Sequence, residues 1–153
     1  MGIKSFVSAK IGLKKTSSNP ILIRDIMTRK LIVFSPEQTV VEVMEAIVKN
    51  KISGGPVTDN QGYVIGMISE GDCIREISQC RYYNIPMASH RIKEFMVTPV
   101  ETVDAEMDVF DVCNRFTQKK RRRFPVIHEG KLVGQVSQID VLKSILNAKH
   151  QEW

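Results

Sequence analysis

Two stretches of this chain hold serine and aspartate at a spacing that could do chemistry: "GMISEGD", Gly66–Asp72, and "GQVSQID", Gly134–Asp140. Both read glycine, two residues, serine, two residues, aspartate. The glycine falls in an apolar run of strand character and has no side chain, so another group can approach the backbone there. The serine ends that run and stands where a helix begins. Its hydroxyl can accept from the free N–H groups of the first turn, or donate to something in front of them. Those N–H groups and the positive end of the helix dipole favour phosphate. The aspartate, about one turn later, only accepts hydrogen bonds and suits a pair of ribose hydroxyls. Ser69 with Asp72, and Ser137 with Asp140, are therefore a candidate nucleoside-phosphate clamp. The same residues also spell a capping box, in which a serine and an acid three residues on satisfy each other's backbone. A single copy reads as a cap before it reads as a site.

The elements that must position these residues are duplicated as well. Pro56 and Pro125, each followed by valine in "GGPVT" and "RFPVI", are 69 residues apart, as are Met27 and Met96 in "IRDIMT" and "IKEFMV". The glycines and aspartates of the motif are 68 apart, and the missing residue falls in a turn, "DNQG" against "HEG". Shortening a hairpin turn is the deletion a sheet absorbs most easily. Each half reads β-α-β-β-α. In the first, Leu31–Pro36 is a strand and Thr39–Asn50 a helix with Val40, Val43, Met44, Ile47 and Val48 on one face. Two strands follow around the turn at Asp59–Gly62, then a helix from Glu70 with Ile74 and Ile77 inward. In the second, "VETVD" is a strand. Met107–Gln118 is a helix with Val109, Phe110, Val112, Cys113 and Phe116 inward. "FPVIH" and "KLVGQVS" are strands, and Ile139–Leu146 is a helix. The expected fold is α+β, two β-α-β-β-α repeats packed by pseudo-twofold symmetry. The expected division is an N-terminal extension (1–20), a first repeat (21–80), a polar connector (81–90) and a second repeat (91–149).

Composition removes several function classes. The 153 residues are 42% hydrophobic and 25% charged, values of an ordinary globular domain. No apolar run approaches the roughly 18–20 residues of a membrane span, and no secretory signal or myristoylation pattern opens the chain, Phe6 standing where Ser or Thr is needed. Cys73, Cys80 and Cys113 form no CxxC pair, which points to a reducing cytoplasm and structural thiols. His90, His128 and His150 lie at no zinc-ligand spacing to them, so no metal is expected. No paired carboxylates or activated nucleophile suggest an enzyme. The net charge of +5 favours anionic partners without choosing among them. Ile3, Val7 and Ile11 among Lys4, Lys10, Lys14 and Lys15 leave a short amphipathic helix or a loosely ordered tail as the readings of Met1–Asn19.

The chain resembles a tandem pair of CBS (cystathionine β-synthase) domains. The resemblance rests on "IRDIMT" and "IKEFMV", on "GPVTDNQGYVIGMISEGD" and on "RFPVIHEGKLVGQVSQIDVL", and covers roughly Ile21–Leu146. It implies two clefts related by the pseudo-twofold, and adenosyl ligands: AMP, ADP, ATP, S-adenosylmethionine or relatives. It also implies a stand-alone regulatory module without catalytic activity, a homodimer, and a separate regulated protein. In such members the serine and aspartate contact ribose or phosphate, here Ser69, Asp72, Ser137 and Asp140. Residues just before the Pro-Val strand contact phosphate, here Arg122 and Arg123, against Ser53 and Gly54 in the first half. A phosphate at the arginines would gain charge-assisted hydrogen bonds, so the second cleft is the expected ligand site. Ile32, Val57, Val103 and Val126 are the expected adenine walls. The plain reading of Lys119–Arg123 is a solvated helix C-terminus worth roughly a few tenths of a kcal/mol.

Two other readings compete with the nucleotide sensor. One is a protein-interaction and dimerisation scaffold with empty clefts. The other is an RNA-binding protein using the basic surface. Only Phe116 and Phe124 flank the basic run, and both are expected in the core, which disfavours nucleic acid; membrane association is likewise disfavoured.

Overall fold

In the computed structural model, residues 19–151 are described; the amphipathic stretch near the N-terminus and Trp153 lie outside them. The first extended contact within the first half is made by Phe34. Its N–H and carbonyl pair with the Pro56 carbonyl (2.9 Å) and Thr58 N–H (3.0 Å), one parallel bridge to Val57. The strand expected over Leu31–Pro36 goes no further. Pro36 has no N–H to give a ladder, and the Ser35 N–H turns to the Gln38 side chain (2.8 Å). Thr39 then caps the helix Val40–Asn50, its hydroxyl accepting from Glu42 N–H while the Glu42 carboxylate accepts from Thr39 N–H. Val40, Val43 and Ile47 face inward, whereas Val48 lies one position off that stripe and is exposed.

Strands β1 (Gly54–Thr58) and β2 (Val64–Ser69) form an antiparallel hairpin, and the helix Glu70–Tyr83 follows. In the second half, β3 (Val103–Asp104) runs parallel to β4 (Arg123–His128), which pairs antiparallel with β5 (Lys131–Ser137). The helix Val109–Lys119 lies between β3 and β4, and Gln138–Gln151 closes the chain. With Ile23–Ile26, the helices are α1 (Ile23–Ile26), α2 (Val40–Asn50), α3 (Glu70–Tyr83), α4 (Val109–Lys119) and α5 (Gln138–Gln151). The two hairpins match residue for residue: Val57 opposes Gly66, Val126 opposes Gly134, and each ladder slips just after that pair. The shorter turn of the second hairpin uses Glu129 (φ 51°) and Gly130 (φ 81°), the two left-handed residues a two-residue hairpin requires.

The segments that open each half in sequence pack on the other half in space. Ile23 and Arg24 N–H groups bond to Met107 and Ala105 (both 2.9 Å), and Thr28 exchanges bonds with Gln135 of β5 (2.8 and 2.9 Å). Reciprocally, Ile92 N–H bonds to Gln38 (2.9 Å), and Val97 exchanges bonds with Met67 of β2 (2.8 and 3.0 Å). Ile23 is thereby buried in the second core with Val126 and Val136, and Ile92 in the first with Phe34 and Val57. Each such fully buried side chain contributes about 1.5–3 kcal/mol.

The motif glycines make this exchange fit. Met96 lies over Gly66, where a Cβ would overlap Sδ and stand 2.9 Å from Cγ. Met27 lies over Gly134, where a Cβ would stand 2.7 Å from Sδ and 2.9 Å from the Thr28 carbonyl oxygen. The group that approaches the strand glycine is a methionine of the other half. The turns join as well, through a Tyr63–Lys131 bridge and a Leu132 N–H bond to Gly62 (3.0 Å).

Gly66→Ala should cost about 1–3 kcal/mol through overpacking, although alanine is otherwise the better strand residue by roughly 0.5–1 kcal/mol. In the Gly66→Ala/Met96→Ala double variant the new methyl occupies the vacated space. The total loss in urea unfolding should then fall short of the sum of the single losses by about 1 kcal/mol; additive losses would show that Met96 is not seated on the glycine.

Candidate functional site

Ser69 ends β2 in extended conformation and caps α3. Its hydroxyl accepts from Asp72 N–H (3.3 Å) and donates to Asp72 Oδ2 (2.8 Å), which also accepts from Ser69 N–H (2.9 Å). The other carboxylate oxygen is paired with Arg75. Ser137 and Asp140 repeat the box at the start of α5 (2.9 and 3.2 Å). The capping reading therefore holds in both halves. A carboxylate offers about four acceptor positions, and Asp72 spends most of its own on the protein.

A cavity of about 370 Å³ opens in front of α3 and is built from both halves. One wall is Ser53, Gly54, Ser69 and Asp72; the other is Arg121, Arg122 and Arg123, the chain entering β4. The sequence expectation grouped those arginines with Ser137 and Asp140. Instead the pseudo-twofold carries the approach to the second Pro-Val strand to the helix start of the first half, and Ser137 and Asp140 are outside this cavity's lining. The expected walls are also corrected. Val57, Val103 and Val126 are fully buried in the two cores, because strand alternation turns them toward the helices. Ile32 is exposed and not part of the lining. The apolar wall is Val97, Pro99 and Val100, on the segment that crosses from the second half.

Three acids, Glu70, Asp72 and Glu101, line the cavity beside the three arginines, and two of them already carry cationic partners, Asp72 with Arg75 and Glu101 with Lys119. Among the described residues, no acidic partner pairs with the guanidinium of Arg121, Arg122 or Arg123. Glu101 shares the cavity. Its Oε1 stands 3.3 Å from Lys119 Nζ, and its Oε2 is buried with no hydrogen-bond partner among the described residues. Such an orphan acceptor is costly unless a donor meets it. Glu101 was not singled out from sequence, yet a signal existed: it lies 69 residues after Ile32, a position assigned to the site in the first half.

The helices present less of their apolar stripe inward than expected. Ile74 of α3 and Phe110 of α4 are exposed, and the buried face of α3 is Asp72, Cys73, Glu76 and Cys80. Cys73 and Cys80 lie seven residues apart on that buried face. Burial, then the neighbouring Asp72, pushes the Cys73 thiol up; burial, then Glu76, does the same to Cys80, and burial, then Asp108, to Cys113. None is an activated nucleophile. The spacing argument against a histidine beside a cysteine fails for His90, which the chain reversal after α3 brings to Glu76 and Cys80. No helix among the described residues is long and apolar enough to cross a membrane.

Comparison with known proteins agrees with this architecture. The family model for the CBS domain matches residues 23–79 and 92–147. The methylated protein MJ0556 of Methanocaldococcus jannaschii is 31% identical over 136 residues, covering 80% of this chain and 72% of that one. Among solved structures, CBSX2 of Arabidopsis thaliana, in complex with AMP, superposes with a TM-score of 0.74 at 24% identity, covering 84% of this chain and 98% of the other. The CBS domain pair of protein MJ0100, in complex with 5'-methylthioadenosine and S-adenosyl-L-methionine, gives 0.70 at 21% identity, covering 86% and 99%.

Ser69→Ala and Ser137→Ala each remove one cap and should lower unfolding free energy by about 0.5–2 kcal/mol. The larger loss is expected for Ser69→Ala, whose hydroxyl also donates to the buried Asp72 carboxylate; thermal or urea unfolding of the two variants checks it.

Proposed function

The chain belongs to the CBS domain family, and from that premise we propose a regulatory module that binds an adenosine phosphate between its halves, does no chemistry on it, and acts on a separate protein. The observation that carries this reading is the set of three arginines, without acidic partners among the described residues, that line one cavity with the α3 start. Phosphate oxygens fit there, met by guanidinium donors and by the positive end of the α3 dipole, although the Glu70 and Asp72 N–H groups are already held by the Ser53 carbonyl (2.9 Å) and the Ser69 hydroxyl (3.3 Å). Ser69, Asp72 and Ser53 line the sugar side. Val97, Pro99 and Val100 supply the apolar face for the base.

Charge favours AMP, ADP or ATP over S-adenosylmethionine, whose sulfonium would stand near three cations. The volume, about 370 Å³, is at the low end of small-ligand sites, about 300–1,000 Å³, which suits a mononucleotide. A ligand touching both halves shifts their arrangement by its differential affinity for the two states. The free, non-activated thiols fit a cytoplasmic setting. Against the RNA reading, the Phe116 and Phe124 rings are buried against each other at 4.7 Å and cannot stack on bases.

A second copy of the chain is the proposed partner for the outer helices. Ile74 on α3 and Leu142 on α5 stand 68 residues apart, at matched places in the duplication, and are 67% and 57% exposed. Ile139 and Leu146 extend the apolar surface on α5. Leu142→Glu should convert a dimer to a monomer in analytical ultracentrifugation; an unchanged sedimentation coefficient removes this surface from the interface.

Unfolding with and without AMP, ADP and ATP tests the sensor reading. A ligand at 100 times its dissociation constant adds about 2.7 kcal/mol. Arg122→Ala and Arg123→Ala should each weaken binding roughly 10- to 100-fold, the worth of a charge-assisted hydrogen bond, while Asp140→Ala leaves it unchanged. If no adenine nucleotide shifts the transition, the scaffold reading takes its place.

A further inference from the structure

The buried polar face of α3 ends in a cluster that the cavity does not use. Asn84 closes the helix in the left-handed conformation (φ 55°), Ile85 N–H bonds back to the Cys80 carbonyl (2.8 Å), and the chain reverses. His90 is then held by its own backbone: its carbonyl accepts from Val40 N–H (3.0 Å), and its N–H donates to Met87 (3.1 Å). Cys80 Sγ, His90 Nδ1 and a Glu76 carboxylate oxygen all lie within 4.8 Å of one another. The thiol stands 3.7 Å from Glu76 Oε1, which is also in direct contact with the imidazole.

The second half shows what this corner of the fold needs for structure alone. Sixty-eight residues after Glu76 and Cys80 stand Ser144 and Ala148, and sixty-nine before His90 stands Ile21. The backbones correspond, since the Ile21 carbonyl accepts from Val109 N–H (2.8 Å) as that of His90 does from Val40. There Ile21 packs on the apolar core, and the Ser144 hydroxyl bonds to its own helix at Val141 (2.7 Å). An aliphatic residue, a serine and an alanine thus suffice. The first half has three metal-ligand types at the same places, and it buries the carboxylate (4% exposed) and the thiol (3%). The thiol donates to the same Glu76 oxygen that the imidazole contacts, so all three groups converge on one point.

We propose that Glu76, Cys80 and His90 form a Zn²⁺ site, with water in the fourth position on the side where His90 reaches the surface. Zinc is borderline-soft and takes thiolate, imidazole and carboxylate together at about 2.0–2.3 Å; a tetrahedron of such bonds sets ligand atoms roughly 3.3–3.7 Å apart. The thiol–carboxylate distance of 3.7 Å already falls in that range, no two of the three ligand atoms are more than 4.8 Å apart, and the backbones of Cys80 and His90 are hydrogen-bonded in place. Magnesium and calcium prefer all-oxygen shells and do not suit the set. On binding, the thiol proton leaves to solvent and the metal replaces the imidazole–carboxylate contact. The bound ion would tie the end of α3 to the segment that leads into the second half.

The test uses the full chain titrated with Co²⁺ and then Zn²⁺. One Co²⁺ per chain should bind with a thiolate-to-metal charge-transfer band in the near ultraviolet, and one equivalent of Zn²⁺ should remove it. Cys80→Ser, nearly isosteric, should abolish the band. His90→Gln should weaken binding more than about 100-fold, beyond what loss of an outer-shell partner costs; Cys73→Ser and Cys113→Ser should leave the band intact. No charge-transfer band in the unmodified chain, or one that persists in Cys80→Ser, overturns the assignment and leaves a histidine–glutamate latch. The measurement on the unmodified chain decides the matter even if a variant fails to fold.

Discussion

Each half of this protein is completed by a methionine from the other. Met27 closes over Gly134 and Met96 over Gly66, and the segments that bring them carry Ile23 and Ile92 into the opposite cores. Neither core is whole without the exchange, so the halves share one folding unit despite having separate sheets. The strand glycines are required because a thioether occupies the volume where a Cβ would be. The same exchange fixes the register between halves, since the bonds of Thr28 to Gln135 and of Val97 to Met67 run along the strands that bear those glycines.

The cavity is a consequence of that exchange. The segment that delivers Met96 continues through Val97–Glu101, and this continuation is the apolar and acidic wall of the site. The arginines arrive from the approach to β4, and the helix start from the first half. The arginines and the Ser69–Asp72 pair therefore come from different repeats, and a molecule filling the cavity would touch both. The Ser-Asp pairs serve first as caps, sharing the reciprocal backbone bonds in both halves. What distinguishes the first cap is its surroundings: opposite it stand three arginines that have no acidic partner among the described residues.

Duplication provides an internal control on which residues the fold needs. Where the halves agree, as in Val57 and Val126 against their glycines, or in the carbonyls of Ile21 and His90, the shared feature is structural. Where they differ, the fold tolerates the difference, and the chemistry of the substituted residue is the informative part. Arg122 and Arg123 against Ser53 and Gly54 is one such place, and Glu101 against Ile32 another.

Much of this was legible in the linear order of residues. The matched spacings exposed the duplication, the turn residues placed both hairpins, and apolar periodicity located the four long helices, because these are local properties of three to a dozen neighbouring residues. The capping boxes were legible for the same reason. Which way a helix face points was less so: Ile74 and Phe110 turned outward, since the inward stripe is chosen by what packs against it. The partnership of Arg122 and Arg123 with Ser69 rather than Ser137, the burial of Val57, Val103 and Val126, and the meeting of His90 with Cys80 were decided by tertiary structure alone. Each depends on contacts between segments brought together by the crossing of the two halves, and spacing along a chain carries no record of which strand a distant segment will cross.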